Sequence, residues 1–566
     1  MILQPILDLV AICAAQGIRQ VVLSPGSRCA PLTLAFARHP EMEVRTIADE
    51  RSAAFIALGM AQQLKQPVVL VCTSGSAALN YFPAISEAFF QQIQILVLTA
   101  DRPPEWVDQW DGQTIFQEEI YGKHVKKSFR FPDTFAHPDQ VRHAHRISNE
   151  AILLSRQFPA GPVHLNIPLR EPFYPEEGEA FNFPKHPPVV TLESSEVRLS
   201  DTALEKLKSE LANFRRILLV PGQQASNPEL LALIERLAQN QQVVVVADSL
   251  SNLQGKGIIT LHDHWLGREE LHAALAPDLV ISFGKSIISK SLKLFLRKQD
   301  IPHWHIQPDG QAKDTYAMLT RILGSEPLAF LTWLTAHLPS LESDFAQRWQ
   351  LLEEQVATVL PQALKEVEFG EYAAVKQVLD ALPSTSQLHV ANSMAIRYVN
   401  FLGRRTQEIC CNRGTSGIDG SNSTAVGASL VSEAPVTLLT GDMAFFYDRN
   451  AFWHKYPMPN LRVIVLNNHA GGIFRLIDGP AKQPELVEFF ETSQALSAAH
   501  LAAEYGFGYN LVTNAQELDQ VLASFFEEST DPKILEIESV SAANASILKV
   551  VKEKVKRLSA DLLKGH

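Results

Sequence analysis

Short apolar runs that end abruptly in polar clusters recur along this chain, and segments with apolar residues at helical spacing lie between them. Residues 21–23 run into Ser24-Pro25-Gly26-Ser27-Arg28, and 44–47 run into Ala48-Asp49-Glu50. Residues 68–72 run into Thr73-Ser74-Gly75, and 95–98 into Thr99-Ala100-Asp101-Arg102. Continuous apolar runs suit strands buried on both faces, so the alternation predicts parallel sheets covered by helices. The last segment repeats the plan: 388–390 leads to Ala391-Asn392-Ser393, 409–411 to Asn412-Arg413-Gly414, 436–440 to Gly441-Asp442 and 461–466 to Asn467-Asn468. A helix is predicted over 443–456. A strand-helix-strand crossover makes its strands parallel, so Asp442 and Asn468 leave the same sheet edge.

The middle segment has strands at 217–220, 243–246 and 279–283, with chemically poorer ends apart from 284–290. The expected fold class is α/β, with three doubly wound parallel-sheet domains at 1–180, 181–350 and 351–566. The Pro- and charge-rich stretch 173–188 reads as a linker, and a second boundary falls in charged helical sequence at 340–370.

At 566 residues, 46% hydrophobic and 20% charged, the chain has room for several domains. Its net charge of −12 argues against a nucleic-acid partner, since phosphate backbones are bound by an excess of Lys and Arg. The five cysteines, Cys13, Cys29, Cys72, Cys410 and Cys411, form no Cys-x-x-Cys and fit a reduced, cytoplasmic setting. Residues 2–15 are apolar but contain Gln4, Pro5 and Asp8 and lack a basic leader, unlike a signal peptide. No apolar run reaches membrane-spanning length, so stable membrane insertion is not expected. A basic C-terminal stretch, with Lys549, Lys552, Lys554, Lys556, Arg557 and Lys564 among Val551, Val555, Leu558 and Leu562, reads as the solvated face of a terminal helix.

Ligands of open α/β sheets bind at the carboxyl ends of the strands, where these polar clusters fall. A carboxylate and an amide oxygen at Asp442 and Asn468 suit a hard cation, and Mg2+ completes its shell with water and phosphate oxygens. Arg28, Arg102, Arg397 and Arg413 sit on or beside the same edges, and guanidinium groups bind carboxylates through two parallel hydrogen bonds. His262 and His264, and His303 and His305, have His-x-His spacing with no third ligand in pattern, so both pairs read as structural.

Glu50 at one strand end, the Asp-Asn pair on another sheet and a third α/β segment between them resemble the thiamine diphosphate-dependent enzymes of the pyruvate oxidase and decarboxylase type. The resemblance spans the full chain. More narrowly, Ser24-Pro25-Gly26-Ser27-Arg28, Ala100-Asp101-Arg102-Pro103-Pro104-Glu105, Asn412-Arg413-Gly414-Thr415-Ser416-Gly417-Ile418-Asp419-Gly420 and Gly472-Ile473-Phe474 resemble the members that serve menaquinone biosynthesis. The resemblance implies the thiamine diphosphate-binding fold, with that cofactor and Mg2+ or Mn2+ bound. The metal would lie on Asp442, Asn468 and the carbonyl of Ala470, where relatives often carry Gly. Ser393 and the amides of Met443 and Ala444 would meet the diphosphate.

Glu50 would bond the pyrimidine ring nitrogen and, holding or sharing a proton, favour the imino form that takes the thiazolium proton. Ile418 would bend the cofactor, and Ile473, Phe474 and Ile477 would wall the reacting centre. The implied reaction decarboxylates 2-oxoglutarate and adds the succinyl-semialdehyde carbanion to isochorismate by 1,4-addition. Arg397 and Arg413 with Ser393 would receive 2-oxoglutarate; Ser27, Arg28, Arg102, Gln113 and Lys290 would receive isochorismate. Relatives often have Arg after that lysine, and here Ser291 stands instead. The alternatives are another thiamine diphosphate-dependent 2-oxoacid decarboxylase or acetolactate-type synthase, which the several arginines argue against, and a non-catalytic assembly, which Glu50 argues against. In this superfamily the glutamate domain of one subunit faces the diphosphate domain of another, so a homodimer or homotetramer is implied.

Overall fold

The computed structural model describes residues 3–193, 196–339 and 341–564, with side chains as far as Arg557. Three parallel sheets follow one another along the chain. The first contains β1 (Gln20–Leu23), β2 (Glu43–Thr46), β3 (Val68–Cys72), β4 (Ile95–Asp101), β5 (Ser128–Arg130) and β6 (Val163–Pro168), in the order β2-β1-β3-β4-β6-β5. The second contains β7 (Ile217–Pro221), β8 (Val243–Val245), β9 (Leu279–Phe283), β10 (His303–Ile306) and β11 (Leu319–Leu323), in the order β11-β10-β9-β7-β8. The third contains β12 (Gln387–Val390), β13 (Ile409–Cys410), β14 (Val436–Gly441), β15 (Leu461–Asn467), β16 (Gly508–Val512) and β17 (Lys533–Glu538). Its order, β13-β12-β14-β15-β17-β16, repeats that of the first sheet strand for strand. The unbroken apolar runs have the cause given above: every residue of β3, β7 and β9 is buried.

Register carries the site forward. Gly441 at the end of β14 lies level with Leu466 of β15, so Asp442 and Asn468, each just beyond, leave the sheet at one edge. The helix predicted over 443–456 is shorter than expected. It spans Asp442–Tyr447, and a 3-10 turn follows at Arg449–Phe452. The buried carboxylate of Asp448 breaks it, accepting from the amide and hydroxyl of Ser423 at 2.7 and 2.8 Å on a neighbouring helix.

The first and third sheets are joined through the helices Glu50–Leu64 and Ser421–Ser429, which cross at glycine on both sides. A Cβ on Gly59 would lie 2.0 Å from the carbonyl oxygen of Thr424, and one on Gly427 would lie 2.1 Å from that of Ile56. Backbone cannot yield as a side-chain tip can. Gly427→Ala is therefore expected to destabilise the protein by about 3 kcal/mol, read as a lower denaturation midpoint; an unchanged midpoint would contradict the close crossing.

Stretch 173–188 has no helix or strand, yet it is a strap held to the first sheet's domain: Phe173 is buried and Phe181 and Phe183 pack beside it. The expected division at 350/351 falls inside the helix Phe345–Lys365. That helix fastens to the middle segment through Glu353, whose carboxylate accepts the amides of Thr260 and Leu261 at 3.0 Å each. The terminal helix Ser541–Lys564 lies along it with Val551 and Val555 buried. The basic residues Lys549, Lys552, Lys556 and Arg557 are exposed on the opposite face; Leu558, Leu562 and Lys564 lie outside the described side chains. No helix among the described residues is long and apolar enough to cross a membrane.

Candidate active site

Asp442 opens its helix, is 2% exposed and forms no ion pair among the described residues, with His469 as its opposing charge. Gln494 Nε2 donates to its Oδ2 at 2.8 Å, and the amides of Met443 and Ala470 also face the carboxylate. Burial pushes its pKa up to about 6, because those neutral donors only partly replace lost water. Asn468 turns its Oδ1 to the amide of Ala470 at 3.1 Å and its Nδ2 to Glu371 at 2.5 Å. The structure therefore brings Asp442, at the end of β14, and Asn468 and Ala470, after β15, together at one sheet edge. Burial, reinforced by the charge of Asp442, raises buried Glu371 to about 7. Glu371 lies just beyond the stretch 340–370 read from sequence as a boundary, and nothing in its pattern announces it.

Ser393 precedes the helix Met394–Phe401 at φ 71° and ψ −128°, a backbone region that side chains rarely enter. Its carbonyl accepts from Arg397 at 2.6 Å. Arg413 donates to Asn392 Oδ1 at 3.1 Å, and its buried Nε has no partner. Neither arginine forms an ion pair among the described residues. Burial lowers the pKa of Arg397, and the like charge of Arg413 lowers it further. Two guanidinium groups with only neutral acceptors make an anion-binding pair.

Two residues overlooked in the sequence hold this loop. Asn392 Nδ2 donates to the carbonyls of Asn412 and Gly417 at 2.5 and 2.7 Å, which fixes the approach to half-buried Ile418. Fully buried Glu87, from the first segment, accepts the amides of Gly414 and Thr415 at 2.7 and 2.6 Å. Glu87 lies within an apolar helix, where a lone carboxylate gives no signal of a partner hundreds of residues away.

Glu50 begins the helix capped by Asp49, whose carboxylate accepts the amides of Arg51 and Ser52. It is partly exposed, and Asn80 Nδ2 approaches its Oε2 at 3.4 Å. Its flanking residues reach the third segment of the same chain beyond the Asp442 end of the helix: Asn450 donates to Asp49 at 2.8 Å, and Arg51 to the carbonyl of Tyr447 at 3.3 Å. No hydrogen bond joins Glu50 to Asp442 or Asn468 among the described residues.

Ser27 is exposed. Arg28 is buried, donates to the carbonyl of Leu169 at 3.0 Å and stacks 4.4 Å from the Phe173 ring centre. Arg102 donates to the Gly112 carbonyl at 2.8 Å and lies 3.4 Å from Asp111. Gln113 is exposed on the same loop at φ 58°, and Trp106, Trp110 and Phe116 there are also exposed. Lys290 is exposed at the first turn of its helix. Ile473 and Phe474 lie half-buried in the 3-10 turn Gly472–Leu476, while Ile477 follows it and is exposed.

Both His-x-His pairs are structural. His303 and His305 share the hydroxyl of Ser282 at 2.7 and 2.8 Å, His262 lies 3.3 Å from Asp248, and His264 donates to the Phe401 carbonyl. No cluster of three His, Cys, Asp or Glu fit for a metal occurs among the described residues. All five cysteines are free and buried.

Burial raises Asp448 from 3.8 to about 7. The folded state therefore favours its protonated form, and the stability this gives is lost as pH rises through about 7. In Asp448→Asn the amide can keep both contacts to Ser423 without a charge. Its melting temperature should gain on wild type between pH 5 and pH 8; parallel curves would contradict the buried titration.

Three family models match in succession: the N-terminal TPP binding domain of thiamine pyrophosphate enzymes at residues 8–125, the middle domain of thiamine pyrophosphate enzymes at 205–390, and the C-terminal TPP binding domain at 391–537. Three α/β sheets matched in turn by these three models define a thiamine diphosphate enzyme, and thiamine diphosphate is its cofactor. The chain is similar to the 2-succinyl-5-enolpyruvyl-6-hydroxy-3-cyclohexene-1-carboxylate synthase of Cytophaga hutchinsonii, with 46% identity over 98% of this chain and 99% of the relative. The synthases of Christiangramia forsetii and Bacteroides fragilis are 37% and 35% identical, each over 96% of this chain and 97% of the relative. The chain belongs to the family of 2-succinyl-5-enolpyruvyl-6-hydroxy-3-cyclohexene-1-carboxylate synthases.

Proposed function

We propose that this protein decarboxylates 2-oxoglutarate and joins the remaining four-carbon unit to isochorismate by 1,4-addition, releasing CO2, as a cytoplasmic step of menaquinone biosynthesis. The observation that carries the reading is the pair Arg397 and Arg413, two cations without a carboxylate partner beside the strained Ser393. A dicarboxylate substrate supplies the missing charge, whereas an uncharged aldehyde-forming pocket has no use for it.

Asp442, the side-chain oxygen of Asn468 and the carbonyl of Ala470 would hold Mg2+ or Mn2+. The fit rests on Asp442: a buried carboxylate in no ion pair, beside the Asn468 side-chain oxygen and the Ala470 carbonyl, suits a hard ion that takes few protein ligands. Met443 and Ala444 present amides next to it, and Ser393 a hydroxyl, toward a diphosphate. Bound thiamine diphosphate supplies the nucleophilic carbon and electron sink that decarboxylation of a 2-oxoacid requires. Glu50 holds and returns a proton at the pyrimidine ring. Ile418, Ile473, Phe474 and Ile477 give an apolar wall that excludes water. Arg397 and Arg413 orient 2-oxoglutarate, while Ser27, Arg28, Arg102, Gln113 and Lys290 receive isochorismate, Arg102 exchanging Asp111 for a substrate carboxylate.

The reading includes a second copy of the chain, in a homodimer or homotetramer. It is supported by the partly exposed Glu50 and by the exposed aromatic residues on the loop that carries Gln113. The test supplies thiamine diphosphate, Mg2+, 2-oxoglutarate and isochorismate and follows isochorismate absorbance. Consumption dependent on all four is expected. Aldehyde release from pyruvate with no loss of isochorismate would overturn the reading.

A further inference from the structure

A cavity of about 970 Å³ opens between the helix Lys290–Arg297, the helix Met394–Phe401, the turn Gly472–Leu476 and the terminal helix. On a chain of net charge −12, its lining holds nine lysines and arginines against four carboxylates. Those carboxylates are already engaged. Asp263 accepts from Ser289 at 2.5 Å, from Ser291 and from Asn400 at 2.9 Å. Glu269 pairs with Lys298, Asp478 with Lys482 and Glu553 with Arg557. Arg475 is closed by Glu491 at 2.6 Å. Lys290, Lys549, Lys552 and Arg397 form no ion pair among the described residues; the charge of Asp263 acts on Lys552 and Arg397 from beyond ion-pair distance.

Lys552 is the most defined of these. Its ammonium lies 4.4 Å from the centre of the Phe401 ring, and burial of Val551 and Val555 fixes the rotation of its helix. Lys549 lies one turn earlier on the same stripe. The cavity floor is apolar, with Met394, Phe401, Ile473 and Ile477 exposed to it. Ammonium groups around an apolar floor suit a dianion with a carbon skeleton, not inorganic phosphate alone. On the facing wall the Ser291 hydroxyl is spent on Asp263, so Lys290 stands there without a neighbouring cation from residue 291.

We propose that Lys552 is a specificity-determining contact which, with Lys290 opposite, holds a carboxylate of the ring dicarboxylate substrate, while Lys549 extends the cationic surface toward the cavity mouth. The assignment rests on the carboligase reading above. A cleft of one sign also concentrates anions and speeds their capture in a salt-dependent way.

The test uses the full-length protein with thiamine diphosphate and Mg2+. Lys552→Met is expected to raise KM for isochorismate about tenfold, the scale of one charge-assisted hydrogen bond, with kcat within about twofold. Lys552→Arg should restore KM, and the fall of kcat/KM between about 50 and about 300 mM salt should be shallower in Lys552→Met than in wild type. Calorimetry with benzene-1,3-dicarboxylate, a stable ring dianion, reads the site without turnover. Binding to wild type that weakens about tenfold in Lys552→Met supports the contact; equal affinity, or no binding to wild type, overturns it. Lys552-dependent binding without isochorismate consumption would sink the carboligase reading and leave the contact standing. Isochorismate turnover with an unchanged KM in Lys552→Met would do the reverse.

Discussion

Glu50→Gln should lower turnover by about 10²- to 10⁴-fold, the usual scale for loss of a general acid-base group. The amide matches the carboxyl in shape but cannot hold and return a proton. The helix start should survive the change, because its cap is Asp49, which keeps the amides of Arg51 and Ser52. Cofactor binding should also survive, since the residues proposed to clamp the diphosphate lie on another sheet. The measurement pairs kcat with the rise in melting temperature on adding thiamine diphosphate and Mg2+. A variant that turns over at the wild-type rate would remove Glu50 from the chemistry. Lost turnover together with a lost thermal shift would make it a binding residue instead.

Asp442→Ala should abolish the cofactor- and metal-dependent rise in melting temperature. Losing a residue that merely supports a metal ligand costs about 10- to 100-fold in affinity, and removal of a ligand should exceed that. The protein without cofactor should lose little stability, because the substitution also deletes a buried carboxylate that forms no ion pair. On the proposed assignment the metal competes with the proton that Asp442 takes up near pH 6, so metal affinity should fall as pH drops below about 6. A thermal shift of wild-type size in Asp442→Ala would place the metal elsewhere.

The candidate sheet edges were legible because β1, β3, β4, β12, β14 and β15 are apolar runs with abrupt polar ends. The strands that pattern alone does not reveal bury polar residues instead. β6 carries His164 and Asn166, satisfied by Thr99, Ser128 and Gln117, and β10 carries two histidines that share Ser282. β17 buries Glu536, which accepts from Asn467, Ser497 and Tyr509. Such side chains mask a buried strand until their partners are known. The same limit applies to the site. Asp442 and Asn468 stand at strand ends and can be read directly, whereas Glu87, Glu371 and Asn392 act through contacts distant in sequence. Arg28 and Arg102 show the converse: each is held by its own domain, through Phe173 and Leu169 or through Asp111 and Gly112.

The proposed division of the cofactor site between Glu50 of one copy and Asp442 of another is tested most directly by mixing Glu50→Gln and Asp442→Ala subunits, each expected to be inactive alone. A dimer containing one of each has one doubly defective site and one intact site, so statistical mixing should restore about a quarter of wild-type activity. If mixed subunits remain as inactive as the separate variants, both halves of the site belong to a single chain and the shared-site account is wrong.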